Sequence, residues 1–282
     1  MIEACAAIVE RDDPHLHATA LFAPEPARAR LMVLYAFDCE LSRATRVSAE
    51  SMIPRMRLQW WRDVIERAAS DAPAPEHEVA GPLTILIRSD PALLSDMADL
   101  PGQDVLSCMV RGHEAELDAP FDPDGFQRWA DDRFGARLGM AGSILPMGAE
   151  YGHAADRSPA AQALGLGFAL RNAARMAASG KTLLPGLAGG DLAALGRGEL
   201  TEASLGLLRD LARTTLAGLR DWRRGRKRLP TLPLVAHLPV RREERILRRV
   251  ARNPAAILGQ IDDVERPFAG LGLAWRAWRG RW

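Results

Sequence analysis

Cysteine is scarce in this chain: Cys5, Cys39 and Cys108 are the only three in 282 residues. They form no CxxC pair and are odd in number, which argues against a disulfide framework or a cysteine-rich zinc site and fits a reducing compartment. Charge of one sign is also in short supply. The formal balance is +1, so no global field calls for nucleic acid as a partner. Long apolar runs are missing too. The most apolar window, residues 163–170, is shorter than the ~20 residues a membrane span needs, and Arg171 ends it. The opening MIEACAAIVERDDPHLH turns acidic and lacks the positive region of a signal peptide, so no secretion is expected. Lysine is almost absent, with only Lys181 and Lys227 among 37 basic residues.

What is present points to helix. With 48% hydrophobic content the chain can bury a full core, and a single domain over residues 1–282 is the default expectation. Ala, Leu, Arg, Glu and Met dominate, and β-branched clusters with period-2 alternation are lacking, so the predicted class is all-α. Pro24 and Pro26 open a predicted helix over 27–47, on which Leu31, Leu34, Tyr35, Asp38, Leu41 and Ser42 share one face. A second helix is predicted over 52–69, with Ile53, Met56, Trp60 and Val64 as its inner stripe and one of the rings Trp60 and Trp61 turned inward. Residues 71–82 read as loop by their proline and glycine content. Further helices are predicted over 83–87, 92–98, 104–117, 123–147, 154–178, 202–228, 241–252 and 254–260, and Gly189, Gly190 and Gly196 are expected to loosen the chain between them. From Arg220 onward, sixteen Arg and Lys stand against six Asp and Glu, a local balance of +10 that leaves −9 for the rest.

Two stretches carry the most information. LYAFDCELSRATRVSAESMIPRMRLQWWRD (34–63) and LRNAARMAASGKTLLP (170–185) resemble the aspartate-motif helices of the squalene/phytoene synthase family. The resemblance extends over nearly the whole chain. It implies an isoprenoid-synthase-type helical bundle around a central apolar cavity, in which paired acidic motifs hold Mg²⁺ ions that grip a prenyl diphosphate. Laid on that pattern, the first motif's acidic positions fall on Ser42, Arg43 and Arg46, and the second's on Asn172 and Met176. Spacing i, i+4 still places Ser42 with Arg46, and Asn172 with Met176, on one helical face each. Mg²⁺ needs several oxygen ligands in near-octahedral geometry, and these side chains do not supply them. No catalytic residue and no metal ligand is therefore assigned. Arg171 and Lys181 match basic positions of the second motif, so the degenerate motif residues expected to line the pocket are Ser42, Arg43, Arg46, Arg171, Asn172, Met176 and Lys181.

The patterns YAFDxEL and MRLQWWRD, with the tail LGLAWRAWR, are most similar to a divergent branch related to a mitochondrial complex I assembly factor with a synthase-like domain. That resemblance implies a non-catalytic assembly or binding role. The expected partners are subunits or assembly intermediates of respiratory NADH:quinone oxidoreductase, with an isoprenoid or lipid in the cavity as a further candidate. No cofactor is expected. The alternative is an active head-to-head prenyl transferase, which would require Mg²⁺. The expected location is the cytoplasm, with a peripheral position at the inner face of the plasma membrane as an extension.

Other constellations have competing readings. Arg43 and Arg46 suit a metal-free diphosphate clamp, because guanidinium forks bind phosphate bidentately, or they pair with Glu40 or Glu50 along the helix. Asp131-Asp132 and Asp262-Asp263 lie off the motif positions and read as surface doublets. His15-x-His17 has no third ligand nearby and reads as structural or exposed. Trp275, Arg276, Trp278 and Arg279 form an interleaved aromatic and basic tail suited to an anionic membrane surface or a partner groove, or to docking on the core.

Overall fold

Local signals set most of the boundaries. Asp13, Asp104 and Asp122 each accept a hydrogen bond from the backbone N–H three residues on, Leu16, Ser107 and Gly125, at 3.0, 2.8 and 2.6 Å. Pro14 and Pro123 occupy the first helical position, where the missing N–H costs nothing. In the computed structural model of the chain, residues 2–46, 52–70, 72–90, 96–97, 100–145, 157–225, 234–259 and 261 are described. The helices are α1 (Ile2–Asp12), α2 (Pro14–Ala20), α3 (Ala27–Ala44), α4 (Met52–Ala68), α5 (Ala80–Ser89), α6 (Val105–Ala115), α7 (Pro123–Ala130), α8 (Ala136–Ile144), α9 (Ser158–Ala177), α10 (Gly189–Gly196), α11 (Glu202–Gly225), α12 (Leu234–His237) and α13 (Val240–Arg252). Short 3₁₀ turns span Glu116–Asp118 and Pro254–Leu258, and a π-turn spans Asp131–Gly135. One small antiparallel ribbon, β1 (Asp96–Met97) with β2 (Leu100–Asp104), interrupts an otherwise helical fold where the sequence pattern predicted helix. No helix among the described residues is long and apolar enough to cross a membrane.

Buried apolar side chains fall into two clusters. One joins α1, α3, α4, α5, α6 and part of α8; the other joins α7, α9, α11, α13 and the 3₁₀ turn at Pro254. The chain from Asp131 to Ile144 serves both. Ala136 and Met140 belong to the first cluster, and Phe134 and Leu138 to the second, each pair four residues apart on its own face. Arg133 and Arg137 repeat the same spacing and emerge at the seam between the cores, 2% and 7% exposed. The π-turn inserts a residue into the helical register and so re-aims the chain at this point. Its close approach to α6 depends on Gly112: a Cβ there would stand 2.6 Å from the Arg133 amide nitrogen and 2.7 Å from the Arg133 Cβ.

The predicted face of α3 is buried at Leu31, Leu34, Tyr35, Asp38 and Leu41 and half-buried at Ser42, within a run from Leu31 to Cys39 that is buried on every side. That of α4 is not. Met56 is 66% and Trp60 37% exposed, and Ile53 is exposed too, whereas Pro54, Leu58, Trp61, Val64 and Ile65 point inward. This helix has two apolar stripes, and hydrophobic spacing alone does not say which one the core takes. Trp61 is the inward ring of the pair and meets Phe37 edge-on with centroids 5.2 Å apart. Residues 80–82, assigned to a loop by composition, form the first turn of α5, a position that tolerates Pro82. Residues 189–196, expected to be loose, form α10. Both α1 and α2 were unforeseen.

Gly112→Ala is expected to lower stability by about 2 kcal/mol, because the clash is with backbone that cannot rotate away. Thermal or urea unfolding checks this, and an unchanged midpoint would show that the π-turn does not need the contact.

Candidate functional site

The C-terminal half of α3 and the middle of α9 face one another. From α3 and the turn after it come Asp38, Cys39, Ser42, Arg43 and Arg46; from α9 come Leu164, Phe168, Arg171 and Asn172. The α1–α2 corner adds Arg11, Asp12, Asp13 and His15, the π-turn adds Arg133, α8 adds Arg137, and the start of α13 adds Arg242 and Glu243. Together they enclose a cavity of about 540 Å³. Seven arginines and four carboxylates line it, so the lining is charged where an apolar cavity was expected. The apolar wall reduces mainly to Leu16, Phe134, Leu164 and Phe168.

Asp38 is the anchor of this site. Its Oδ1 lies 2.9 Å from Nε2 of His113 on α6, and its Oδ2 accepts from the Arg137 guanidinium at 2.6 Å. All three side chains are buried. Burial on its own would raise the carboxyl pKa, but the charge of Arg137 and the hydrogen bond from His113 outweigh it and hold Asp38 well below the usual carboxylate range. Burial pushes His113 down to about 4, with Arg133 adding to the effect against the pull of Asp38. At neutral pH His113 is therefore uncharged and donates its Nε2–H to the carboxylate, leaving Nδ1 buried without a partner.

Arg133 donates to the Ser42 hydroxyl at 3.0 Å, pairs with Glu116, and lies over the Phe168 ring with 4.2 Å to the centroid. Burial pulls its guanidinium down to about 9, opposed by Asp38 and reinforced by Arg137, Arg46 and Arg171. Arg171 pairs with the buried Glu243, which reaches α9 where Gly167 leaves room: a Cβ at 167 would lie 2.7 Å from the Glu243 Cβ. Burial is the first reason that His15 is pushed down to about 4, and Arg242 adds to it.

The predicted site residues that are described can now be placed. Ser42, Arg43, Arg46, Arg171 and Asn172 line the cavity. Arg43 pairs with Glu40 and with Asp12, both at 2.7 Å, so for this residue the pairing along the helix holds. Arg46 donates to the Ser42 carbonyl at 3.0 Å, and Glu50, the other partner expected for these arginines, lies outside the described residues. Met176 and Lys181 do not line the cavity. Met176 packs partly buried against the second core, and Lys181 is exposed beyond the end of α9. Asp132 is tied to Arg111, its Oδ2 2.7 Å from Nε, and Asp131 accepts from Ser158 at 3.2 Å. His15, read as structural or exposed, is half-buried and lines the cavity. Trp275, Arg276, Trp278, Arg279, Asp262 and Asp263 lie outside the described residues. His113, Arg133, Arg137 and Glu243 are site residues that the sequence reading missed, and only the two arginines on one helical face, at i and i+4, left a signal there.

The donor set does not fit Mg²⁺. The four carboxylates of the lining each answer an arginine: Asp12 with Arg43, Asp13 with Arg242, Asp38 with Arg137 and Glu243 with Arg171. Among the described residues no group of three or more His, Cys, Asp or Glu side chains could hold a metal ion.

Two outcomes follow from this geometry. Asp38→Asn removes the charge opposite buried Arg137 and is expected to cost about 3–5 kcal/mol in urea unfolding; a cost below about 1 kcal/mol would show that Arg137 finds another partner. The second is an acid response. Below the ordinary histidine value of 6.5 the unfolded chain takes up protons at positions 113 and 15 that the folded chain refuses until about pH 4, so stability falls as pH drops through that window. His113 alone contributes roughly 3 kcal/mol of that fall. His113→Gln keeps an N–H for Asp38 and should flatten the slope by about half; an unaltered slope would rule His113 out.

Comparison with known proteins agrees with this architecture. A family model described as squalene/phytoene synthase matches residues 9–270. None of the curated protein sequences is significantly similar. The crystal structure of a dehydrosqualene synthase in complex with ligand superposes with a TM-score of 0.75 at 14% identity, covering 99% of this chain and 95% of that one. The crystal structure of squalene synthase HpnC from Alicyclobacillus acidocaldarius superposes with a TM-score of 0.64 at 16% identity, covering 89% of this chain and 93% of that one. At these identities the structural likeness is one of fold, the all-α arrangement of isoprenoid synthases. With the family model matched along most of its length, the chain belongs to the squalene/phytoene synthase family.

Proposed function

We propose that this chain is a catalytically degenerate member of its family that works by binding, as an assembly factor for respiratory NADH:quinone oxidoreductase. The observation that carries the first half is the state of the two motif faces. The positions that would present acidic ligands to the cavity bear Ser42, Arg43, Arg46 and Asn172, and the nearest acids are committed elsewhere, Asp38 to Arg137 and His113 and Glu40 to Arg43. Prenyl transfer must stabilise a departing diphosphate, and arginines at these positions do not reproduce a cluster of divalent ions in number or geometry.

The second half draws on the likeness of YAFDxEL and MRLQWWRD to the complex I assembly branch. Of the two acids in YAFDxEL, Asp38 holds the fold together through Arg137 and His113, and Glu40 pairs with Arg43. A scaffold kept while its metal ligands are replaced suits a protein whose surface, rather than its turnover, is used. The C-terminal basic region, of which Arg245, Arg248, Arg249 and Arg252 are exposed on α13, would provide the docking face toward an anionic membrane surface or the partner complex.

Two measurements test this reading. Purified protein incubated with farnesyl or geranylgeranyl diphosphate and Mg²⁺ should yield no C30 or C40 hydrocarbon above an enzyme-free control; product would establish the active prenyl transferase instead. Deletion of the gene in its host should reduce assembled NADH:quinone oxidoreductase while leaving carotenoids and hopanoids unchanged. Loss of isoprenoids with the respiratory complex intact would reject the assembly role.

A further inference from the structure

The corner between α4 and α5 is tied down at both ends, by ties of different kinds. At its start, Arg88 of α5 reaches back to the carbonyls of Ser70 and Ala72, each at 2.5 Å, and a guanidinium keeps its donors at any pH a protein meets. At its end, His77 does what an Asp, Asn or Ser does at most helix starts. Its Nδ1 accepts from the backbone N–H groups of Val79 and Ala80, at 3.1 and 3.4 Å, and its carbonyl accepts from the Gly81 N–H at 3.3 Å. Pro82 has no N–H to offer, and the Leu83 N–H donates to the Val79 carbonyl at 2.9 Å. One residue therefore answers every N–H from Val79 to Gly81, donors for which a helix start has no acceptor of its own.

That side-chain acceptor exists only while the ring is neutral. Two amides aimed at Nδ1 place the ring proton on Nε2. Once Nδ1 takes up a proton it becomes a third donor facing two others, and it sets a positive charge at the positive end of the helix dipole. The surroundings decide which side of the contact lets go. From α4 the rings of Trp60 and Trp61 lie against His77, each with centroids 5.3 Å away, and Arg57, one turn earlier, is the charged residue that helical spacing puts on the same side. Glu76 and Glu78 flank His77 in its own exposed segment, and from α1 the neighbour is Cys5, whose thiol donates to the Glu78 carbonyl at 3.7 Å. Exposed carboxylates in water add little, Arg57 opposes them, and ring faces attract an imidazolium. The charged ring thus stays on α4, and the amides of α5 are what it loses.

We propose that His77 is a proton-operated latch on the α4–α5 corner: neutral, it closes the first turn of α5 onto α4; protonated, it releases that turn while remaining on the tryptophans. Histidine suits this task because its charge, alone among ordinary side chains, changes between about pH 5 and 8. What the latch holds is apolar. Val79 and Ala80 are fully buried in the first core, and the residues after them include Pro82, Ile85 and Leu86, one wall of a groove of about 520 Å³ completed by Ile2 of α1 and Val33 of α3. Release therefore loosens apolar surface at a place that shares no lining residue with the arginine-rich cavity. The latch would work whether or not the chain turns over a substrate.

Hydrogen exchange of the full chain, followed by mass spectrometry from about pH 8 to about pH 5.5, tests the latch. Protection factors, which divide out the direct effect of pH on exchange, should fall about tenfold for residues 79–86 relative to α9 as His77 is protonated. The comparison with α9 separates this local release from the general acid response expected of His113 and His15, which lowers all segments together. His77→Asn keeps a neutral capping oxygen at every pH and should abolish the local fall. His77→Ala should show low protection throughout, and the exposed position of residue 77 lets both variants fold. A ratio to α9 that stays level in the unmodified chain, the same fall in His77→Asn, or ring nitrogen shifts in NMR that place the proton of the neutral ring on Nδ1 would each overturn the latch.

Discussion

The Asp38 carboxylate holds three elements of the bundle to one another. It sits on α3, receives the His113 N–H from α6 and the Arg137 guanidinium from α8, and is buried among the largest core side chains. A charge in that position is tolerable only because both of its oxygens are answered, and each answering group is oriented by the same bond. The π-turn before α8 and the bare Cα of Gly112 follow from this requirement. They bring the chain carrying Arg133 and Arg137 against α6 closely enough for two cations to enter the seam between the cores.

The seam decides the character of the cavity. In a helical bundle whose centre is apolar, the space between facing helices suits a hydrocarbon ligand; here the centre is polar and its upper wall is guanidinium. Phe134 and Phe168 do not make the wall greasy so much as give Arg133 a surface to lie on. Glu243, arriving from α13 through the gap left by Gly167, neutralises Arg171 and ties the C-terminal part of the fold to the cavity. Where the resembling family's motif pair would present carboxylates, the facing helices here present Ser42, Arg43, Arg46 and Asn172 to the cavity.

Legibility in the sequence varied with the kind of question. The burial of α3 was readable because Leu31–Cys39 is apolar but for Asp38, although the core closes around the whole helix rather than along one face. The face of α4 was not, since Met52, Ile53, Met56 and Trp60 make one apolar stripe and Leu58, Trp61, Val64 and Ile65 another, and only packing against α3, α5 and α6 selects between them. Glycine content misled at α10, where Gly189 and Gly190 begin a helix rather than breaking one. Of the motif residues, those up to Asn172 face the cavity, whereas Met176 and Lys181 fall past its rim as α9 ends. His15 was dismissed for want of a metal-binding companion, a test that never asked about cavities.

The sequence by itself determined the all-helical class, many helix boundaries and which residues stand at the positions resembling the family's motifs, because capping, periodicity and residue identity are properties of a few neighbouring residues. It also fixed that Asp38 lies on the buried side of its helix. Which groups answer Asp38 was decided by the tertiary structure alone: His113 and Arg137 stand 75 and 99 residues away along the chain, and no local rule joins residues at such separations. The gathering of arginines at the cavity is of the same kind. Composition reports a chain near neutrality, and only the tertiary fold gathers seven arginines around one cavity.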